Sequence, residues 1–599
     1  MYPLNKHLRL SMSISVFCMF LSACGGQGDQ VTPKPPELAN KTEVSTVPNK
    51  KSSVITLGTL KAFPTAEGAG AGATGGRGGK VVYVTNTNEK GAGSLFEAVT
   101  GYGNEKRTIA FAVGGRFNVS TWEWTENVGN FTLAGQTAND LGGVHIVSIP
   151  YHENSQGIQY KYYQGAIWSY LNQDFDRSIP ANGSLYLTHS DNMAIRYISA
   201  KGGWESGIHH EARFNAFGTK NCTNLIYDHY SSGFSSYLGK LGGTNRNTGK
   251  EGGITMQYSL GHEGVAKHGV GFVLGAYFKN VVGARSEKEQ IDKWRTAAGA
   301  TDFHHNAFIL NTHRHTGNIV AGDSGRYKRI SNYIYGVGSR LDSFNGNMQI
   351  DYVNNVYEAS NVNDVHLGYL HKFEIANSIA APGIAIQPSL YLNGNKVVKQ
   401  DGSLLISAAN QWSMISMKPD ESMGEEYRNT PLWGKRHHEQ VPDSPLYHRT
   451  SAIKKGKYPI TVTPTDEVKN YVLNNAGAGV RFNLDGTTYN DDQIDLKYIS
   501  IAKEKSGPSN DDELGNKSRL VIPNYVTTKR NLTKFDSDRD GMADSWEKKH
   551  GLKVGAKDNN AVKRDWTIQG YSIKNNAGYT NLEIYLAELA GDFHLLAKK

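Results

Sequence analysis

Asn192-Met193-Ala194-Ile195-Arg196-Tyr197-Ile198 is the stretch that decides the fold. Apolar and polar side chains alternate along it with period two, the pattern of a strand that turns one face to a core. It opens on asparagine, which tolerates the left-handed corner needed before a strand. The unit returns in Asn130-Phe131-Thr132-Leu133, Asn224-Leu225-Ile226-Tyr227, Gly253-Ile254-Thr255-Met256, Phe303-His304-His305-Asn306, Arg329-Ile330-Ser331-Asn332 and Gln349-Ile350-Asp351-Tyr352. Neighbouring units are mostly about 20 to 50 residues apart, the spacing of repeat architectures. Stacked coils of this kind bury a continuous apolar column, so the expected fold is an all-β parallel β-helix. A two-sheet β-sandwich would need hairpin turn signals every 8–12 residues or so, and these are scarce.

Composition agrees: 66 glycines and 32 tyrosines stand in a chain that is only 38% hydrophobic. That mixture suits a solenoid with tight turns and stacking platforms. A net charge of +8 points to an anionic partner. The basic residues are dispersed and no nucleic-acid-binding motif occurs, which argues against nucleic acid.

The ends carry other information. Lys6, His7 and Arg9 precede an apolar run from Leu10 to Phe20, followed by Leu21-Ser22-Ala23-Cys24. The run is too short to span a bilayer and has the form of a signal peptide. The tetrad resembles a bacterial lipobox, which implies a lipidated Cys24; an ordinary secretory signal cleaved nearby is the alternative. The expectation is an exported protein, either an outer-membrane lipoprotein on the periplasmic face or cell surface, or a secreted one, monomeric and touching membrane only through that lipid. Of three cysteines, only Cys222 remains for the folded domain. It cannot form an internal disulfide, so core burial and metal must hold the fold. The reading divides the chain into a signal (1–24), a polar tether (25–58), the β-helix (59–505), a linker (506–530) and a C-terminal unit (531–599).

The opening of the β-helix is the most specific stretch. Ala62-Phe63-Pro64-Thr65-Ala66-Glu67-Gly68 leads into Ala73-Thr74-Gly75-Gly76-Arg77-Gly78-Gly79-Lys80-Val81. Val84-Thr85-Asn86-Thr87-Asn88, Gly91-Ala92-Gly93-Ser94-Leu95, Thr108-Ile109-Ala110-Phe111 and Thr132-Leu133-Ala134-Gly135-Gln136 continue it, and Val472-Leu473-Asn474-Asn475-Ala476-Gly477-Ala478 returns to it. This ordered series closely resembles secreted bacterial pectate lyases, from about Leu60 to Ile501. The resemblance implies a right-handed parallel β-helix with an anionic polysaccharide bound along one face.

It also implies a chemistry. Cleaving a 4-linked uronate by β-elimination removes the weakly acidic C5 proton, so the neighbouring carboxylate must be neutralised and a base must take the proton. In the family, Ca²⁺ and cationic side chains do the first task and an arginine is assigned the second. Phe303-His304-His305-Asn306-Ala307-Phe308 followed by Arg314 is similar to the family's catalytic region, which makes Arg314 the first candidate for catalysis. The stretch from Ile254 to Gly264, leading to Lys267 and His268, resembles the strand before it. His229, Arg326 and Lys328 are the candidate substrate contacts, and Asp228, Glu205 and Glu263 the candidate groove Ca²⁺ ligands.

The chain departs from the family pattern in three places. His315 stands where a proline normally follows the catalytic arginine. Ser235 and Ser236 occupy positions expected to be acidic. Glu205, His209, His210 and Glu211 replace a clear aspartate pair. An arginine base also meets a physical objection: its pKa exceeds 12, so deprotonation near pH 8 costs ~6 kcal/mol. The alternative is an Arg314 carboxylate clamp with His268 or a nearby tyrosine as base and Lys267 adding charge. His304 and His305 read better as ladder or core residues.

In the C-terminal unit, Asp536-Ser537-Asp538-Arg539-Asp540-Gly541-Met542-Ala543-Asp544-Ser545-Trp546-Glu547 carries alternate carboxylates, a glycine for the turn, and later Asp and Glu. Asp536, Asp538, Asp540, Asp544 and Glu547 are candidate ligands of a structural Ca²⁺. The leading functional reading is thus a polysaccharide lyase acting on pectate. A lyase for another anionic polymer, such as a sulfated uronan, is the alternative. A non-catalytic or hydrolytic polysaccharide-acting β-helix is the third; a hydrolase would need a carboxylate pair about 5–9.5 Å apart.

Overall fold

The structure is a computed structural model. It describes residues 54–119, 128–148, 190–202, 222–234, 253–264, 300–311, 325–336, 348–360, 389–417, 447–508 and 519–598, together with the strands 124–126, 151–153, 159–163, 166–169, 174–176, 185–188, 217–220, 237–241, 270–275, 317–320, 342–345 and 371–373. Cys24, Glu205, Lys267, His268 and Arg314 lie outside the described residues, as do His209, His210, Glu211, Ser235 and Ser236.

Three long sheets run the length of the molecule. Among the described residues, sheets I and II have eleven strands each and sheet III has nine. One coil passes through each in turn: Phe217–Lys220 in sheet III, Thr223–Asp228 in sheet I, Ser231–Gly233 in sheet II, and then Tyr237–Leu241 back in sheet III. Pairing between successive coils is parallel, as in Leu225↔Ile254 and Ser231↔Leu260. The fold is a right-handed parallel β-helix. Within the three long sheets, among the described residues, only the end strands of sheet II, Leu404–Ile406 and Thr528–Lys529, pair antiparallel.

Period-two alternation sets what faces inward. In sheet I the file Ile195, Tyr227, Met256, Phe303, Arg329, Tyr352, Leu392 runs down the interior. Arg329 is the exception to its apolar character, buried at 1% exposure with its guanidinium 4.3 Å from the centre of the Phe303 ring. The outer file carries Thr255, Asp302, Lys328 and Asp351.

From Tyr197 onward, the described passages from sheet I to sheet II are two-residue corners whose first residue has positive φ. Those residues are Tyr197, His229, Tyr258, His305, Ser331, Asn354 and Gly394. Asparagine and glycine were expected at the corners, and Asn130, Asn192 and Asn224 do turn there with φ of 53°, 65° and 51°. At the I-to-II corner, however, aromatic rings take the left-handed position because they stack: Tyr197 on His229 at 4.6 Å, His229 on Tyr258 at 5.4 Å, Tyr258 on His305 at 5.2 Å. The second corner residue builds an amide ladder. Asn306, Asn332, Asn355, Asn395 and Gln411 each pass a hydrogen bond of 2.9–3.1 Å to the next.

The glycine-rich opening lies over the outer face of sheet I. A Cβ on Gly70 would stand 2.1 Å from the Leu225 carbonyl oxygen, and one on Gly76 2.0 Å from that of Arg107, so only glycine lets the backbones approach this closely.

Two expected boundaries change. The tether ends before residue 58, because Val54–Thr56 forms a strand paired parallel with Tyr571–Lys574. Residues 531–599 are not a separate body: residues 52–599 form one compact unit. Arg77 meets Glu583 at 2.6 Å, Tyr197 donates to the Ala590 carbonyl at 2.6 Å, and Tyr83 donates to Asp536. No helix among the described residues is long and apolar enough to cross a membrane.

Candidate active site and cation loop

The strands around the catalytic candidates are neighbours. In sequence, Lys267 and His268 stand between Leu260–His262 of sheet II and Val270–Gly275 of sheet III. Arg314 stands between Ala307–Ile309 of sheet II and Gly317–Val320 of sheet III. Val270–Gly275 pairs directly with Gly317–Val320 through Val273↔Asn318. Glu205 likewise precedes the sheet III strand Phe217–Lys220, which pairs with Tyr237–Leu241 and so leads to Val270–Gly275. Glu205, Lys267, His268 and Arg314 thus each precede a sheet III strand in sequence.

The other groove candidates belong elsewhere. Asp228 is fully buried on the outer file of sheet I. Its carboxylate accepts from Arg196 Nε at 2.8 Å and Gln257 Nε2 at 2.7 Å, and lies 2.9 Å from His229 Nδ1. Burial alone would push this carboxyl up; the Arg196 charge, with His229 and Gln257, outweighs it and holds the group well below the usual carboxylate range. Asp228 is a lattice point of a buried network rather than a groove cation ligand. His229 is sealed between Tyr197 and Tyr258 in the ring stack and reaches no substrate face.

Glu263 accepts from Tyr498 Oη at 2.9 Å and from Arg519 Nε at 2.9 Å. It is buried and fastens sheet II to the helix Gln493–Glu504. Arg326 and Lys328 sit on sheet I, not sheet III. Lys328 lies in register between Asp302 and Asp351. The face around Lys328 is covered, since Asp302 accepts from Ala69 N–H at 2.7 Å and Asp351 from Arg449 at 2.6 Å, whereas Arg326 is exposed. These four corrections share a cause: the alternation that places a residue in or out of a sheet is readable, but which of three sheets it joins, and what covers that sheet, is set by distant segments.

Sequence reasoning missed the network that these residues form. Arg196 bridges Asp228 and Asp592, stacking at 3.7 Å over the Phe63 ring, while Thr65 donates to Asp592 at 2.9 Å. Glu67, in the same opening block, accepts from Thr461. The Ala62–Gly68 block thus clasps the coils to the C-terminal segment.

The cation loop holds most of its expected residues. Asp536, Asp538 and Asp540 form one carboxylate grouping, and Asp540, Glu547 and Asp558 another. Both oxygens of Asp538 and of Glu547, and Oδ2 of Asp540, are buried without a hydrogen-bond partner. Hard oxygen donors left unpaired in one place suit a hard cation such as Ca²⁺. Burial and the neighbouring carboxylates push Asp540 up to about 7 and Glu547 up to about 8. Asp544 belongs to neither grouping; its carboxylate accepts from Ser537 N–H at 2.8 Å and closes the turn. Asp558 was missed because it follows the helix Asp544–Lys549 and falls outside the contiguous motif.

No family model matches the chain. Among curated proteins it is 28% identical over 348 residues to a probable pectate lyase C of Aspergillus fumigatus, covering 55% of this chain and 68% of that one. It is 28% identical over 306 residues to the corresponding protein of Emericella nidulans, covering 50% and 59%. Over about half of its length the chain is similar to pectate lyases. A probable pectate lyase C of Neosartorya fischeri matches at 32% over 215 residues, 35% of this chain and 39% of that one. Among solved structures, the major cedar-pollen allergen Jun a 1 superposes with a TM-score of 0.41 at 14% identity, covering 69% of this chain and 92% of that one. A thermostable pectate lyase gives 0.40 at 14%, covering 70% and 98%. The fold rests on the coil register of the chain itself.

Proposed function

We propose that this protein is a polysaccharide lyase that cleaves pectate by β-elimination, releasing 4,5-unsaturated oligogalacturonates. The observation that carries the reading is the match to pectate lyases across half of the chain, on a β-helix of the expected topology. In sequence, Lys267 and His268 precede one strand of sheet III and Arg314 precedes the strand paired with it, which supports grouping the three in one catalytic role. Arg314 acts on the uronate whose C5 proton is lost, either taking the proton or clamping the carboxylate while His268 takes it. Lys267 adds positive charge that favours the enolate-like intermediate. Asp228 and Glu263 are committed to structural ion pairs, so no step is assigned to a groove cation held by them.

Ca²⁺ in the C-terminal loop is assigned to Asp536, Asp538, Asp540, Glu547 and Asp558, with a stabilising role. The amino-terminal segment supports export, with Cys24 as the lipid attachment point; mass spectrometry of the mature amino terminus tests it. The activity is tested by incubating the protein with polygalacturonate, with and without chelator, and following ultraviolet absorbance of the unsaturated uronate. Reducing ends without that absorbance would mean hydrolysis and refute the lyase assignment.

A further inference from the structure

We infer that Lys201 and Asp495 become joined by an isopeptide bond that clamps the helix Gln493–Glu504 onto sheet II. Lys201 lies on the sheet II strand Ser199–Gly202 and is wholly buried. Its Nζ has no hydrogen-bond partner and faces Oδ1 of Asp495 at 3.6 Å, an oxygen that also has none. An ammonium group has three donors to satisfy, and leaving them empty in the interior is costly. An amine poised beside a carboxyl carbon is a reactive arrangement as well as a poor ion pair.

The surroundings supply what amide formation needs. The other carboxyl oxygen of Asp495, Oδ2, accepts from Ser231 Oγ at 2.6 Å and Gly479 N–H at 3.3 Å, donors placed to hold an oxyanion. Asp492 is the neighbouring carboxylate, held by the Ile494 N–H at 2.8 Å and by Tyr525. Burial and the charge of Asp492 push the Asp495 carboxyl up to about 6, which favours its protonated, electrophilic form.

The Lys201 ammonium passes one proton to Oδ1 of Asp495, which it faces at 3.6 Å, and the freed lone pair attacks Cγ of the protonated Asp495. The carbonyl electrons move to Oδ2, then re-form the double bond and expel Oδ1 as water, which carries the carboxyl proton and a second proton from Nζ. The products are an amide and one water, with no oxidant or reductant. Such a bond would close a long loop covalently in a domain whose described cysteine, Cys222, is buried and in no disulfide.

The purified full-length protein is denatured, weighed intact, and digested with protease. The expected result is a mass lower by one water than the same chain without the bond, and a branched peptide containing both Lys201 and Asp495. Lys201→Arg should regain the water, beyond the lysine-to-arginine difference, and yield linear peptides. Linear peptides from the wild-type protein would overturn the proposal, whether or not the variant folds. A water loss that persists in Lys201→Arg would overturn it too, since the loss would then lie elsewhere.

Discussion

Arg196 and Asp592, 396 positions apart in the chain, meet through two hydrogen bonds of 3.1 and 2.7 Å between fully buried side chains. The contact ties the strand unit Asn192–Ile198 to the helix Asp592–Ala597 near the carboxyl terminus. Removing one member of a buried pair strands the other, at a cost of about 3–5 kcal/mol. Arg196 keeps Asp228, so Asp592→Ala is expected near the lower end, with the whole unit unfolding earlier in guanidinium. An unchanged midpoint would mean that the carboxyl-terminal segment does not contribute to the stability of the coils.

The cation loop gives a prediction about metal removal. Chelation should lower the melting temperature, and calcium at about one hundred times its Kd should restore about 2.7 kcal/mol. Asp558→Ala should weaken calcium binding more than Asp544→Ala, as measured by calorimetry. Without a cation, the raised carboxyls of Asp540 and Glu547 favour a protonated folded state. The chelated protein should then lose stability as pH rises from the ordinary carboxylate range towards about 8, and saturating calcium should flatten that slope.

Glu358 sets an acid-side response of opposite sign. It accepts from Tyr333 Oη at 2.6 Å and Lys469 Nζ at 2.7 Å, with Lys505 Nζ at 2.9 Å. Burial raises its pKa, but these partners outweigh it and hold the group below its ordinary value of 4.5. The stabilisation is therefore complete above that value and is lost as pH falls through the lower folded-state value. In Glu358→Gln, acid unfolding followed by circular dichroism should lose part of this pH dependence. An identical acid profile would show that the two lysines do not act through Glu358.

Arg314 is tested through turnover. Arg314→Lys should fail nearly as badly as Arg314→Ala, since an ammonium cannot replace a planar bidentate fork. The loss expected in kcat is ~10²-fold or more, the scale of one removed transition-state donor or proton-transfer group. His268→Ala separates the mechanisms: lost turnover with substrate binding retained makes histidine the base and leaves Arg314 as the clamp. Near-normal activity in Arg314→Ala would refute the assignment of Arg314.

The sequence by itself determined the coil. Alternation in units such as Asn192–Ile198 dictates which side chains turn inward, because a strand has period two whatever surrounds it. Local spacing likewise announced the acidic loop, because its first ligands are carried on one short turn. Tertiary structure decided what strand pattern cannot encode. Asp228 and Glu263 carry the same carboxylates in a groove or in a buried ion pair, and only Arg196 and Arg519, brought from far along the chain, make them structural. Asp558 joins the loop, and Lys201 faces Asp495, for the same reason. Packing of distant segments selects each partner, and the electrostatics of a buried charge depend on that partner more than on its own neighbours in sequence.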